Sequence, residues 1–207
     1  MSSYAYEFEK RNERLETYEW DNVWWEQTEK TDVPRVLYIG DSISCGTRRV
    51  ATRVAENAVL FDGLGTSKAL DNPYFRQTVS LFADQQKARC AVLFNNGLHG
   101  WHLDDETEYG QYYESMLQFL KDKFEGTLIA LCLTTHVANP ERNARVVARN
   151  RVVTALAKKY NLPVVDLYSI TEANPELLSA DGVHFAPEGY QLLANELVSK
   201  VKELANI

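Results

Sequence analysis

Gly40-Asp41-Ser42 stands early in the chain and Asp181-Gly182-Val183-His184 stands late. The two clusters carry complementary chemistry. A serine hydroxyl is a weak nucleophile until a base removes its proton, and that base needs a third group to orient it and balance its charge. Asp181 and His184, three residues apart, can form the orienter–base pair within one turn, and Ser42 supplies the hydroxyl. The chain order Ser…Asp…His is one of several that build the same geometry. Such a set attacks esters through serine.

Residues so far apart in sequence need a scaffold that brings them together. Arg35-Val-Leu-Tyr-Ile39 is a short apolar run between Pro34 and Gly40, and reads as a buried strand that hands over to Ser42. Further strands are expected at about 58–61, 90–94, 127–133 and 162–167, and helices at about 47–57, 72–87, 108–124, 140–160 and 187–205, with 62–67 a loop. Asn72-Pro73, Pro140 and Pro187 are the expected helix openers, since proline lacks only an N–H that the first turn leaves unused. Short strands alternating with longer helices imply a parallel sheet covered on both faces. Open sheets of that kind bind ligands at the carboxyl ends of their strands. Ser42, Gly65, the 95–99 loop, His136 and the Asp181–His184 turn all follow strands or lie in the late loop, so one sheet edge can gather them. Residues 1–30, rich in charge and carrying Trp20, Trp24 and Trp25, read as an N-terminal helical arm packed on a domain that fills residues 31–207.

At 207 residues, 45% of them hydrophobic, the chain suits one domain with a substantial core. A net charge of -7 argues against a nucleic-acid or an anionic-membrane partner. Cys45, Cys90 and Cys132 are odd in number and widely spaced, which fits neither a disulfide framework nor a zinc site. With no apolar signal segment at the start, the expected setting is cytoplasmic. His102, followed by Asp104, Asp105 and Glu106, matches no metal-ligand spacing and reads as a solvated acidic loop. The arginines of 142–151 read as a solvated helix face, and His136 as a residue at the cleft or beside it. Gly63-Leu64-Gly65 lacks the rest of a dinucleotide fingerprint, and neither a Gly-Lys-Ser/Thr loop nor a Gly-x-Ser-x-Gly elbow is present. No cofactor and no metal are expected.

Val36-Leu-Tyr-Ile-Gly-Asp-Ser-Ile-Ser44 and Asp181-Gly-Val-His-Phe-Ala-Pro-Glu-Gly-Tyr190 resemble the first and last sequence blocks of the SGNH hydrolases, the GDSL-like esterase/lipase family. The resemblance spans about residues 35–190. It implies a single three-layer α/β/α domain with a parallel sheet of about five strands, flavodoxin-like in outline. It makes Ser42 the nucleophile, His184 the base and Asp181 its orienter. It also implies an oxyanion hole. Gly65 best matches the glycine of the second block, with Gly63 as the alternative. The third block usually reads Gly-x-Asn-Asp, and here Gly97-Leu98-His99-Gly100 puts histidine where asparagine is expected. Even a neutral imidazole offers one ring N–H. His99 is thus the expected third donor beside the Ser42 and Gly65 amides, with Asn95 or Asn96 able to replace it if the loop is reshaped.

The activity this implies is hydrolysis of a carboxylic ester, and the absence of a greasy lid favours a short acyl group on a small molecule. An acetylated sugar is the first expectation, with Trp101 and Tyr109 as stacking faces. Acyl transfer by the same triad and a non-catalytic ligand-binding relative are the rival readings. The sequence leaves the oligomeric state open.

Overall fold

A computed structural model describes Leu15, residues 18–86 and residues 88–207. Strands β1 (Asp21–Trp24), β2 (Arg35–Gly40), β3 (Leu60–Thr66), β4 (Ala91–Phe94), β5 (Leu128–Cys132) and β6 (Val164–Val165) form one sheet in the order β1-β3-β2-β4-β5-β6. Neighbouring strands are parallel except β1, which runs antiparallel to β3. Side chains alternate across a sheet, so a strand covered on both sides must be apolar at odd and even positions alike. β2 does this: Val36 and Tyr38 enter one core, Leu37 and Ile39 the other. The first core is closed by α1 (Ser42–Val54) and α6 (Pro187–Ala205), and the second by α2 (Phe75–Ala83) and α3 (Glu106–Lys123). The long helix α4 (Pro140–Tyr160) gives Val146 to the first core, and Val153 and Leu156 to the second. The result is the three-layer α/β/α arrangement that the strand–helix alternation predicts.

Some elements differ from expectation. Asp21–Trp24 lies in the stretch expected to be helical, yet it pairs with β3 from Asp21↔Thr66 to Trp24↔Gly63. Val23 and Trp24 suit a pleated surface, and pairing satisfies an edge of β3 that would otherwise be bare. The remainder of the expected arm, residues 1–14, 16 and 17, lies outside the described residues. With a strand on each side, β3 runs through residues 62–66, which were expected to be a loop. Asp62 is therefore buried, and is compensated by Arg35 at 2.8 Å and by the side-chain amide of Gln86. Helix α1 starts five residues before the expected Thr47, for a reason given below. Helix α2 ends at Ala83; its expected end, Lys87, is outside the described residues. It begins at Phe75, with Asn72 Oδ1 accepting from the Tyr74 amide at 2.9 Å, so Pro73 precedes the helix and does not open it. The short helix α5 (Leu167–Glu172) and a 3-10 turn at Pro175–Leu177 were not anticipated. Among the described residues no helix is long and apolar enough to cross a membrane.

Candidate active site

β2 ends at Gly40 and α1 begins at Ser42, so Asp41 occupies the N-cap between them. Its Oδ1 accepts from the Ile43 amide at 2.9 Å, and its carbonyl accepts from Ser44 Oγ at 2.6 Å. A side-chain acceptor at this position satisfies amides that the first turn leaves without partners, which is why the helix starts so early. Asp41 is 2% exposed. Burial pushes its carboxyl up from the ordinary range, opposed by the nearby His99 imidazole and by the Ile43 and Ser44 amides. Ser42 is the first helical residue, so its own N–H has no intrahelical acceptor and lies at the positive end of the helix dipole.

The second cluster sits at the tip of a tight hairpin. Leu178 and Phe185 form an isolated antiparallel bridge, and the Ser179 amide donates to the His184 carbonyl at 2.7 Å. Gly182 turns the chain at φ +71, where an L side chain is strained, and a Cβ there would also lie 2.8 Å from Ala138 Cβ. The Ala138 amide donates to the Gly182 carbonyl at 2.8 Å, tying the turn to the segment after β5. Asp181 Oδ1 accepts from the Val183 amide, the His184 amide and Ser179 Oγ, each at 2.9 Å. Its Oδ2 lies 2.7 Å from His184 Nδ1, and His184 Nε2 lies 2.8 Å from Ser42 Oγ. The His184 hydrogen bond, followed by the two amides and Ser179, holds the Asp181 carboxyl well below the usual carboxylate range. An ionised Asp181 accepts from Nδ1–H, which leaves Nε2 free to accept the Ser42 proton. The His184 and Asp181 side chains are 41% and 53% exposed, so the dyad opens to solvent.

Of the two second-block glycines, Gly65 is in register with Gly40, next to the Asp41–Ser42 turn, whereas Gly63 faces Tyr38 two residues further back. A Cβ on Gly65 would lie 2.2 Å from Cys45 Sγ and 3.2 Å from the Asp41 carbonyl, so only glycine lets β3 approach α1 this closely. Cys45, three residues after Ser42 on the same helix face, is a packing residue whose thiol burial pushes up. The His99 ring meets Trp20 edge-on, with centroids 5.9 Å apart and planes at 77°.

Both upstream asparagines have side-chain partners. Asn96 Nδ2 donates to the Lys68 carbonyl at 2.9 Å, and Asn96 is 3% exposed. Asn95 Nδ2 bridges the Cys132 carbonyl at 2.8 Å and Thr134 Oγ1 at 3.0 Å. Both amides tie strand ends together, Asn95 through two acceptors and Asn96 through one.

On α4, Arg142 and Arg151 are exposed as expected, and the solvated-face reading is corrected at Arg149. Arg149 is 3% exposed. Its guanidinium donates to the carbonyls of Gly97 at 3.0 Å, His99 at 2.8 Å, Gly100 at 2.6 Å and Leu103 at 3.2 Å, and lies over the Tyr109 ring at 4.5 Å. A planar fork with several donors is suited to gathering carbonyls in this way. The loop that departs from the usual third block is therefore organised by an arginine from a neighbouring helix.

Of the two expected sugar-stacking faces, Tyr109 is corrected. Tyr109 is 1% exposed and its hydroxyl donates to the Asn96 carbonyl, while the Trp101 ring is met by Arg142, Arg145 and Arg149. His102 Nε2 lies 2.7 Å from Asp71 Oδ2, joining the loops after β3 and β4. The His136 amide donates to Thr171 Oγ1 at 2.9 Å, and its ring meets Tyr168 edge-on. Among the described residues no three His, Cys, Asp or Glu side chains cluster as a metal site.

The model of the GDSL-like Lipase/Acylhydrolase family matches residues 38–192. Over 67 residues the chain is 37% identical to the isoamyl acetate-hydrolyzing esterase of Schizosaccharomyces pombe, in an alignment that takes in 30% of this chain and 27% of that relative. Among solved structures, it is similar to the lipase/acylhydrolase of Enterococcus faecalis, with a TM-score of 0.64 and 21% identity over 83% of this chain and 97% of that one. It is also similar to a carbohydrate esterase family 3 protein of Talaromyces cellulolyticus, with a TM-score of 0.65 and 16% identity over 84% of this chain and 99% of that one. At these identities the structural likeness is one of fold.

Proposed function

Because this chain belongs to the GDSL-like lipase/acylhydrolase family, we propose that it is a serine esterase acting through Ser42, His184 and Asp181. The observation that carries this reading is the unbroken chain from Ser42 Oγ to His184 Nε2 at 2.8 Å and from His184 Nδ1 to Asp181 Oδ2 at 2.7 Å.

In the proposed cycle His184 takes the Ser42 proton as Oγ attacks the ester carbonyl. The tetrahedral intermediate collapses as His184 returns that proton to the departing alcohol, leaving an acyl-serine. Water then repeats the sequence in reverse sense and releases the acid. Asp181 stays ionised throughout and balances the imidazolium that forms twice per turnover. The oxyanion is held by the Ser42 amide and by a ring N–H of His99, with Gly65 leaving room for it beside Ser42. Fixed donors in a site already organised cost little reorganisation when charge develops. No cofactor takes part.

The acyl group is short and the alcohol is a small molecule, with acetylated sugars within that class. The acetate ester in the name of the Schizosaccharomyces pombe relative supports the acyl half of this reading. A cytoplasmic setting is supported by Cys45, Cys90 and Cys132, all unpaired thiols. Steady-state hydrolysis of p-nitrophenyl acetate, with acetate release measured against added acceptor sugar, tests the reading: free acetate marks hydrolysis, and acetylated sugar would mark a transferase.

His99→Ala is expected to lower kcat by about 10²–10³, the usual cost of one oxyanion donor. His99→Asn, which restores the family's usual donor, is expected to recover most of that loss. Full turnover by the alanine variant would remove His99 from the hole.

A further inference from the structure

We infer that Trp20 closes the acyl side of this site and restricts it to short acyl groups; the inference rests on the Ser42–His184–Asp181 reading above. The sheet order sets out the geometry. Ser42 follows β2, and the segment after β5 holds the His184 turn through the Ala138–Gly182 hydrogen bond. Gly65, at the end of β3, lies on the other side of Ser42, and Trp20 immediately precedes β1, the strand beyond it. Along this sheet edge the base and Trp20 therefore stand on opposite sides of the nucleophile.

The tetrahedral carbon carries four substituents: Ser42 Oγ, the oxyanion, the departing alkoxide and the acyl chain. His184 must protonate the alkoxide, which places the alcohol on the β5 side. The oxyanion lies against the Ser42 amide and His99, beside Gly65. The acyl chain is left on the side away from His184, where Trp20 stands. Trp20 Cζ3 is 3.6 Å from the position a Cβ on Gly65 would take, and its ring meets His99 edge-on at 5.9 Å. It thus packs on His99 and lies beside Gly65.

The wall is fixed through the main chain. The Trp20 amide donates to Ser67 Oγ at 2.8 Å, and the Trp20 carbonyl accepts from the Ser67 amide at 3.1 Å and from Thr66 Oγ1 at 3.2 Å. Substitution at position 20 therefore removes the ring while leaving these anchors in place. An indole has only two side-chain torsions, so a ring held at its backbone and packed against a neighbour makes a stiff wall.

The test measures kcat/KM on p-nitrophenyl acetate, butyrate and hexanoate for wild type, Trp20→Ala and Trp20→Phe, each with and without Ser42→Ala, and melting curves report folding. The expected result is a hexanoate-to-acetate ratio at least tenfold higher in Trp20→Ala than in wild type, with Trp20→Phe between them. A ratio unchanged within twofold, or an equal fall on all three esters in folded variants, overturns the role of Trp20. The triad reading survives that outcome as long as the remaining activity still disappears with Ser42→Ala. Activity that persists with Ser42→Ala, or a wild type silent on the whole series, overturns both.

Discussion

Replacing Ser42 by alanine is expected to lower kcat on p-nitrophenyl acetate by about 10⁴–10⁶, leaving only the catalysis that binding and the oxyanion donors provide. His184→Ala should fall in the same range. The double variant should be no worse than either single one, because the hydroxyl, the imidazole and the carboxylate act as a unit and a unit can be lost only once. The geometry is specific about why. Ser42 Oγ lies 2.8 Å from His184 Nε2, the acceptor on which the proposed mechanism depends. Additive losses in the double variant would mean that the two side chains act independently. Stopped-assay rates at matched enzyme concentrations, with melting curves to show that the variants fold, decide between these outcomes.

Arg149→Met should destabilise the protein by about 3–5 kcal/mol, because the carbonyls of Gly97, His99, Gly100 and Leu103 lose a charged donor in a buried place. For a chain of this length that corresponds to a melting temperature lower by roughly 10 °C. The effect should reach turnover too, since the same carbonyls fix the loop that carries His99. Arg149→Lys tests the fork itself. An ammonium cannot span the carbonyls that a planar guanidinium reaches, so lysine should recover only part of the loss. Arginine on the solvated helix face that the spacing suggests would change stability by a few tenths of a kcal/mol at most. Thermal unfolding of the two variants separates these accounts.

The difference at Arg149 shows what a sequence can and cannot convey. Arginines recurring at helical spacing say that a helix has a charged face. They do not say that one of them meets a cluster of carbonyls from a loop some fifty residues away, because that depends on how α4 lies against the sheet. The hydrogen-bonded cluster of Ser42, His184 and Asp181 was legible for the opposite reason. Asp41 caps the helix it precedes, and Asp181 and His184 share one turn, so each local cluster nearly builds itself. The apolar runs of β2, β4 and β5 were legible because burial on both faces leaves no room for a polar position.

Residues 62–66 were misread because Gly63 and Gly65 look like loop residues. Their glycines instead admit Arg48 and Cys45 at distances that no Cβ would allow. β1 was hidden in a segment of untidy periodicity, since a four-residue edge strand leaves little pattern to detect. Trp20 shares that obscurity: its place beside Gly65 and His99 follows from the pairing of β1 with β3, which nothing in the local sequence announces.

The central claim is that Ser42 becomes covalently acylated. The most direct measurement is intact-mass spectrometry of the protein after reaction with a small fluorophosphonate, followed by peptide mapping. The account predicts a single phosphonyl group on the peptide that contains Ser42, its formation abolished in Ser42→Ala and strongly slowed in His184→Ala. Labelling at a different residue, or a folded and hydrolytically active protein that takes no label at Ser42, would contradict it.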